Sequence, residues 1–374
     1  MKIAIFTDNF LPGTGGTESV VLRLGTELAK NHQVMVFAPD YHRFFDQSKL
    51  PFKVVRAKSI PVTENDFWAM PKISSNVKKQ LDDFKPDIVH SHTMGMMADF
   101  ANQYAKQNNI PSVLTAHTNY KACYERALKS PLMVNAVLRR IIKRAKNADR
   151  VTAVSTFMAN QLKEYGLGEK QVTIVKNGHN KMRETPFNKV TDGKFNLLYL
   201  GLVIKYKNIK FSLDALRELK NYTDDFTYHI IGDGRDKKYF MRYVKKIGLS
   251  ENVIFHGRIT DRDILFSHFE RADAVLFTSV VDTDGLVLLE GAEAGVPSIV
   301  IENTGASERI KDGENGFVVE YDKTALANKI YSLIRDRETV KKVGEKAKEI
   351  FTSWGEIATG YQEIYLEEIA KKQV

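Results

Sequence analysis

Short apolar runs recur along the chain, each followed by a polar loop and then by apolar residues spaced three and four apart. Such runs read as buried parallel strands, and the spaced residues as helices with one apolar face. The first run predicts a strand at Lys2–Phe6. Asp8–Thr17 is then a loop ending in Gly13-Thr14-Gly15-Gly16-Thr17. A helix follows with Val20, Val21, Leu24, Leu28 and Ala29 on one face and Thr17 as its N-cap. Further strands are read at His32–Phe37, Val54–Ala57, Asp87–His90, Ser112–Thr115, Arg150–Val154 and Val172–Val175. Helices are read at Lys72–Phe84, from Gly95 to about Gln107, and at Thr156–Tyr165.

The alternation pauses at His179–Gly193, a polar stretch containing Pro186 that reads as a linker, and then resumes. Strands at Phe195–Leu200, Phe226–Ile231, Val253–His256, Ala274–Phe277 and Ser298–Ile301 alternate with helices at Asn208–Leu219, Lys237–Ile247 and from Gly285. The fold class is therefore α/β, with two doubly wound Rossmann-like domains. The first takes residues 1–180 and the second 181–354. The last helix, carrying Ile357, Tyr361, Ile364, Tyr365 and Ile369, is expected to cross back, which adds 355–374 to the first domain. Two such halves imply a cleft, where ligands usually bind.

One turn in the second half stands out. Asp282-Thr283-Asp284-Gly285-Leu286-Val287-Leu288-Leu289-Glu290 places two carboxylates, Asp282 and Glu290, on either side of a strand–loop–helix junction. Ligands of open α/β sheets sit outside the carboxyl ends of the strands. A helix N-terminus offers free N–H groups to an anion. Acids for hydroxyls beside backbone for phosphates would suit a sugar nucleotide. An ordinary loop acid and a solvated helix acid would look the same in isolation.

Composition narrows the choices. The chain has 374 residues, 43% of them apolar, enough for two buried cores. A single cysteine, Cys123, excludes a disulfide framework and a cysteine metal site and fits a reducing cytosol. No run approaches the roughly 20 apolar residues of a membrane span. The net charge of +9 points to anionic partners, phosphates or a lipid surface among them.

Four other groups could carry chemistry. The glycine loop lets the backbone at Gly15 and Gly16 approach a ligand at a helix start, although it matches neither the dinucleotide fingerprint nor a P-loop. His90, His92 and His117 all end strands. His90 reads as a satisfied core histidine, His117 as a hydrogen-bonding group, and no metal is expected among them. Lys205 and Lys207 follow the strand ending at Leu200 and could serve as point charges for a diphosphate, or be solvated surface lysines. Residues 121–150 are basic, with Arg139, Arg140, Lys143 and Arg144 among apolar positions. That pattern describes a helix lying on an anionic membrane, or equally one packed on the core. No nucleic-acid motif appears.

Taken together these residues resemble the GT-B glycosyltransferases of the large retaining family 4. The resemblance runs through Pro12–Gly16, Asp87-Ile88-Val89-His90-Ser91-His92, Thr115–Thr118, Val175-Lys176-Asn177-Gly178, Tyr199-Leu200-Gly201 with Lys207-Asn208, and Ile231–Gly234. It continues through Gly285-Leu286-Val287 with Glu290, Gly295-Val296-Pro297, Asp312–Phe317 and Ser353-Trp354. It implies metal-independent transfer of a sugar from a nucleotide-sugar, with retention. The donor would bind the second domain and the acceptor the first. By motif match, Glu290 would hold the ribose, Asp282 the donor sugar and Lys207 the diphosphate, with Lys205, Asp284, Gly285, Leu286 and Val287 around them. Gly15 and Gly16 would border the donor phosphate, and His117 would contact the transferring sugar. Two positions depart from the family pattern. Leu202 stands where an arginine is usual, and Asp282 where a glutamate is usual.

The expected function is hexosyl transfer from a nucleotide-sugar, UDP-sugar favoured, to a lipid-linked or cell-envelope acceptor. No cofactor is expected. The expected location is cytoplasmic, peripheral on the inner face of the membrane through the basic helix. The alternatives are a degenerate GT-B subunit that binds or scaffolds an active transferase, favoured by Leu202, and a nucleotide-sugar epimerase.

Overall fold

A continuous apolar strand needs cover on both faces, and each half of the chain supplies it with helices. The computed structural model describes every residue except Thr14, 63–66, Lys129, 182–184, 186–187 and Val374. In the first half these are β1 (Lys2–Phe6), α1 (Gly16–Ala29), β2 (Gln33–Pro39), β3 (Lys53–Ala57), β4 (Ser59–Pro61), β5 (Phe67–Ala69), α2 (Ser75–Phe84), β6 (Ile88–Ser91), α3 (Met96–Gln107), β7 (Ser112–Ala116), α4 (Tyr120–Ala127), α5 (Pro131–Asn147), β8 (Arg150–Ala153), α6 (Thr156–Leu162) and β9 (Val172–Ile174). The second half runs β10 (Phe195–Leu200), α7 (Ile209–Leu219), β11 (Phe226–Ile231), α8 (Lys237–Lys246), β12 (Val253–Gly257), α9 (Arg262–Arg271), β13 (Ala274–Phe277), α10 (Leu286–Glu293), β14 (Ser298–Ile301), β15 (Phe317–Val319), α11 (Lys323–Arg335) and α12 (Arg337–Ala347), followed by α13 (Trp354–Gln373).

The chain divides into two units, Met1–Gly178 with Thr352–Val374, and His179–Phe351. The first holds a parallel sheet in the order β3-β2-β1-β6-β7-β8-β9, the second one in the order β12-β11-β10-β13-β14-β15. In each, the opening strand lies inside the sheet and the strand order reverses beside it. This happens between β1 and β6 in the first unit and between β10 and β13 in the second. These are the topological switch points, where the loops after neighbouring strands diverge and leave room for a ligand.

Three local expectations change. The helix read at Lys72–Phe84 breaks at Ser74, which is buried and donates through Oγ to Met70 O while accepting from Lys58 N–H, so α2 begins at Ser75. The residue before α1 is Gly15 rather than Thr17, which lies inside the first turn. The helix Thr156–Tyr165 changes form after Leu162, continuing as a π-helical turn over Lys163–Leu167 in which Gly166 takes φ +97°. Within the linker expected at His179–Gly193, Pro186 lies outside the described residues.

The last helix belongs to the first unit. Trp354, Tyr361 and Tyr365 of α13 are buried there, and Arg150 binds Glu367 and Glu368 at 2.7 and 2.9 Å. His90 joins this packing as a core group. Its Nδ1 lies 2.6 Å from the Tyr365 hydroxyl and its Nε2 2.7 Å from Thr115 Oγ1, which also meets Thr152 and Tyr361. Burial drives the ring's pKa down to about 3, so it stays neutral. Tyr365→Phe is therefore expected to cost about 1–3 kcal/mol in urea unfolding, the scale for stranding a buried polar atom. An unchanged midpoint would show that the hydroxyl does no such bonding.

Candidate functional site

The loop after β13 gains its shape from two ion pairs and a glycine. Asp284 and Arg309 are almost fully buried as side chains (5% and 4% exposed) and meet at 2.6 Å between Oδ1 and Nε. Gly285 takes φ +75° just before α10, and a Cβ there would come within 2.9 Å of Leu288 Cδ1 and 3.3 Å of Ala306 Cβ. Both the left-handed backbone and the close approach call for glycine. Asp282 binds Lys207 at 2.5 Å through Oδ1, while its Oδ2 is buried with no hydrogen-bond partner among the described residues.

Lys207 reaches Asp282 because β10 and β13 are neighbours in the sheet. The turn after β10 runs through Lys205–Lys207 to Asn208, which holds the left-handed conformation (φ 58°) and donates from Nδ2 to Thr278 O at 2.9 Å. Ser212 of α7 meets Thr278 Oγ1 at 2.7 Å. The two switch-point loops of the second unit are thus stitched together by side chains that lie far apart in sequence. Asn208 and Arg309 were not among the expected site residues. Asn208 was legible as a turn residue, but nothing in the sequence marks Arg309 as a partner of Asp284.

The other expected donor residues divide. Asp284 spends its carboxylate on Arg309, so its side chain does not serve as a free acceptor for a ligand. Val287 is buried in the core, which leaves its backbone; the N–H groups of Leu286 and Val287 open the first turn of α10. Glu290 lies half-buried further along the same helix. Lys205 does not join Lys207: its ammonium sits 4.2 Å from the centre of the Tyr239 ring, and its backbone N–H donates to Asp236. Leu202 is 59% exposed, and its carbonyl accepts from the Tyr199 hydroxyl. Among the described residues, the Lys207 ammonium is therefore the cation in contact with Asp282.

In the first unit the switch-point loops are joined by Asp8, another residue not expected from the sequence. It accepts from Thr93 Oγ1 at 2.5 Å, Gly95 N–H at 3.0 Å and Met97 N–H at 3.1 Å, holding the start of α3. Burial raises its pKa, against the effect of these donors. The glycine loop behaves differently from expectation at one position. A Cβ on Gly15 would come within 2.5 Å of the Glu18 carboxylate, so an acid of the protein's own lies against that residue. Gly16 is exposed with nothing near its Cβ position, and is the open part of the loop.

His92 and His117 follow the adjacent strands β6 and β7, and their Nδ1 and Nε2 atoms lie 3.0 Å apart with the rings stacked. His92 Nε2 is buried without a hydrogen-bond partner among the described residues. Burial lowers His117 to about 3, so the ring is neutral and hydrogen-bonds as an imidazole.

The basic segment forms two helices. α5 turns Val134, Leu138, Ile141, Ile142 and Ala145 into the core, so its apolar stripe is a core-packing face. Arg139, Arg140 and Lys143 are exposed. Arg144 is not part of that free surface, because it donates to Met94 O at 3.1 Å and lies 3.7 Å from Met96 Sδ. Leu132 and Met133, 81% and 55% exposed, project from the start of the helix. Among the described residues no helix is long and apolar enough to cross a membrane.

Two family models match the chain. One, described as Glycosyltransferase Family 4, covers residues 14–183, and the other, described as Glycosyl transferases group 1, covers residues 181–350. The putative glycosyltransferase EpsD of Bacillus subtilis is 26% identical over 328 residues, covering 84% of this chain and 84% of its own. The alpha-monoglucosyldiacylglycerol synthase of Streptococcus pneumoniae is 24% identical over 333 residues, covering 83% of this chain and 74% of its own. HepE of Anabaena, solved in complex with UDP-glucose, matches with a TM-score of 0.75 at 18% identity, covering 98% of this chain and 100% of that one. The structural likeness shows a shared fold, GT-B.

Proposed function

The chain belongs to the family 4, group 1 glycosyltransferases, and from that premise we propose that it moves a hexose from a nucleotide-sugar, a UDP-sugar by preference, to a lipid-linked or cell-envelope acceptor with retention of configuration. It is a glycosyltransferase of GT-B fold. The observation that carries the finer reading is the Lys207–Asp282 pair on the switch-point turn of the second unit, with Asp282 Oδ2 buried and unpartnered among the described residues. A cation beside an unsatisfied carboxylate oxygen suits a diphosphate next to a sugar hydroxyl. The UDP-glucose complex of HepE and the glycolipid named for the pneumococcal relative support donor and acceptor classes in the same direction.

In this reading the diphosphate takes the Lys207 ammonium and the open N–H groups of α10, which stabilise leaving-group charge without a metal. Asp282 accepts from a donor-sugar hydroxyl, Glu290 from the ribose, and neutral His117 hydrogen-bonds the sugar being transferred. A screen of UDP- and GDP-sugars with a membrane-lipid extract, read by mass spectrometry, tests it. A glycosylated lipid is the expected product. Absence of both turnover and calorimetric binding across the panel would sink it in favour of a second reading, a non-catalytic partner of an active transferase. Leu202 favours that second reading, since an exposed leucine supplies no phosphate donor where the family places arginine.

Two further outcomes follow from named residues. Glu290→Ala should weaken nucleotide binding by about 1–3 kcal/mol, the scale for losing a charged hydrogen bond; equal affinity by calorimetry would remove the ribose role. For the membrane, exchange of Arg139, Arg140 and Lys143 for alanine should cost about 1 kcal/mol each in binding to anionic vesicles. Co-sedimentation at low salt measures this, and identical partitioning of the triple variant would place the acceptor surface elsewhere.

A further inference from the structure

Three histidines distant in sequence meet on one face of the second unit's sheet. Alternation along β11 sends Tyr228 and Ile230 into the core and His229 to the opposite side. On the neighbouring edge strand β12, Val253 and Phe255 take the core side, and His256 comes up beside His229. The register slips here, with Ile230 opposite Phe255 but Ile231 opposite Gly257, so His256 is the extra residue of a bulge. α9 covers this face with Phe269, and Ala272 just beyond the helix packs in the same cluster as Leu198 and Ile231. The same helix brings in His268. One ring nitrogen from each histidine lies within 4.8 Å of the other two.

The hydrogen bonds around His229 fix which nitrogen is a ligand. Asp192 Oδ1 accepts from Asn196 Nδ2 at 2.9 Å, which turns Asn196 Oδ1 toward His229 Nε2 at 3.0 Å. An amide oxygen only accepts, so Nε2 carries the proton and Nδ1 holds a lone pair. His256 Nε2 lies 2.9 Å from that nitrogen. An acceptor on the far ring N–H is what orients metal-bound histidines and fixes their tautomer.

We propose that His229, His256 and His268 form a binding site for a divalent transition-metal ion of the zinc class, with His229 Nδ1 as one ligand and the fourth position open to water. Imidazoles suit zinc and its neighbours. With Zn–N bonds of about 2.0–2.1 Å, tetrahedral nitrogens sit about 3.3 Å apart, so the His229–His256 pair opens by only a few tenths of an ångström. Burial lowers His229 and His268 to about 4, leaving the rings neutral as ligands must be. The ion clamps edge strand β12 to α9 and takes no part in the transfer chemistry proposed above. The Arg271 charge, which bears on His229 and His268, opposes a dication and weakens its binding.

The test uses the purified full chain stripped with a chelator and titrated with Zn2+ by calorimetry and with Co2+ by visible absorption. One equivalent binds, the Co2+ spectrum is that of a low-coordinate nitrogen site, and Zn2+ raises Tm. His256→Gln and His268→Gln each abolish the one-equivalent binding while circular dichroism shows a folded chain, and His42→Gln leaves it intact. Failure to bind one equivalent, or binding that survives both His256→Gln and His268→Gln, overturns the proposal. Neither donor nor acceptor enters the measurement, so its outcome is independent of the transferase reading.

Discussion

Replacing Arg309 by alanine should cost the second unit about 3–5 kcal/mol of unfolding free energy, the scale for leaving a buried charge without its partner. Arg309 and Asp284 have side chains only 4% and 5% exposed, and they meet at 2.6 Å. The attraction between them offsets the loss of water around both ions. Removing the guanidinium leaves the Asp284 carboxylate in the interior beside Gly285, at the start of α10. The loop then has to move to hydrate it, and Asp282 moves with the loop. Urea unfolding of the wild type and Arg309→Ala measures the loss. The double variant Arg309→Met with Asp284→Leu should recover much of it, because apolar replacement of both partners removes the buried charge altogether. A loss below about 1 kcal/mol in the single variant would place this pair with surface ion pairs, whose contribution is of that size.

The second large effect concerns Lys207. Lys207→Ala should lower the rate of transfer by about 10²–10³-fold, the usual effect of removing one preorganised donor to developing negative charge. With Leu202 in the arginine position and Lys205 turned to Tyr239, no other expected cation of this turn is in contact with Asp282 among the described residues. The variant should also lose more nucleotide affinity at low salt than at high salt, because the contact to phosphate is partly screened. Asp282→Asn separates the two partners. It releases Lys207 from its carboxylate, so UDP should bind more tightly while transfer falls with the lost sugar contact. Parallel loss of both binding and transfer in Asp282→Asn would mean that Asp282 only positions Lys207. A salt-independent effect of Lys207→Ala would argue against phosphate as its partner.

Much of the second sheet was legible in the chain. Phe195–Leu200, Phe226–Ile231, Ala274–Phe277 and Ser298–Ile301 were read as strands with the limits the structure gives them. Each is an apolar run with polar or glycine residues at its ends, and a strand covered on both faces leaves that signature. The short antiparallel pair of β4 and β5 left none, since three residues a side carry no period and its strands are partly exposed. β15, also three residues long, is not among the strands read from the chain. The amphipathic pattern of α5 was visible, but its two readings differ only in what lies against the apolar stripe, and packing on Met94, Leu114 and Val151 decides that for the core.

By itself, then, the sequence determined most strands and helices, the alternation that makes two parallel sheets, and the family motifs in their order. These depend on local periodicity and on which residues avoid water. Only the tertiary structure decided the partners: Lys207 with Asp282, Asp284 with Arg309, Asp8 with the start of α3, and His229 with His256 and His268. Each joins elements that strand order places side by side, and strand order is not written in any local window. His229 interrupts an apolar strand and could have been noticed as an oddity. That it faces two other histidines follows from the edge position of β12, its bulge, and the helix that packs across them.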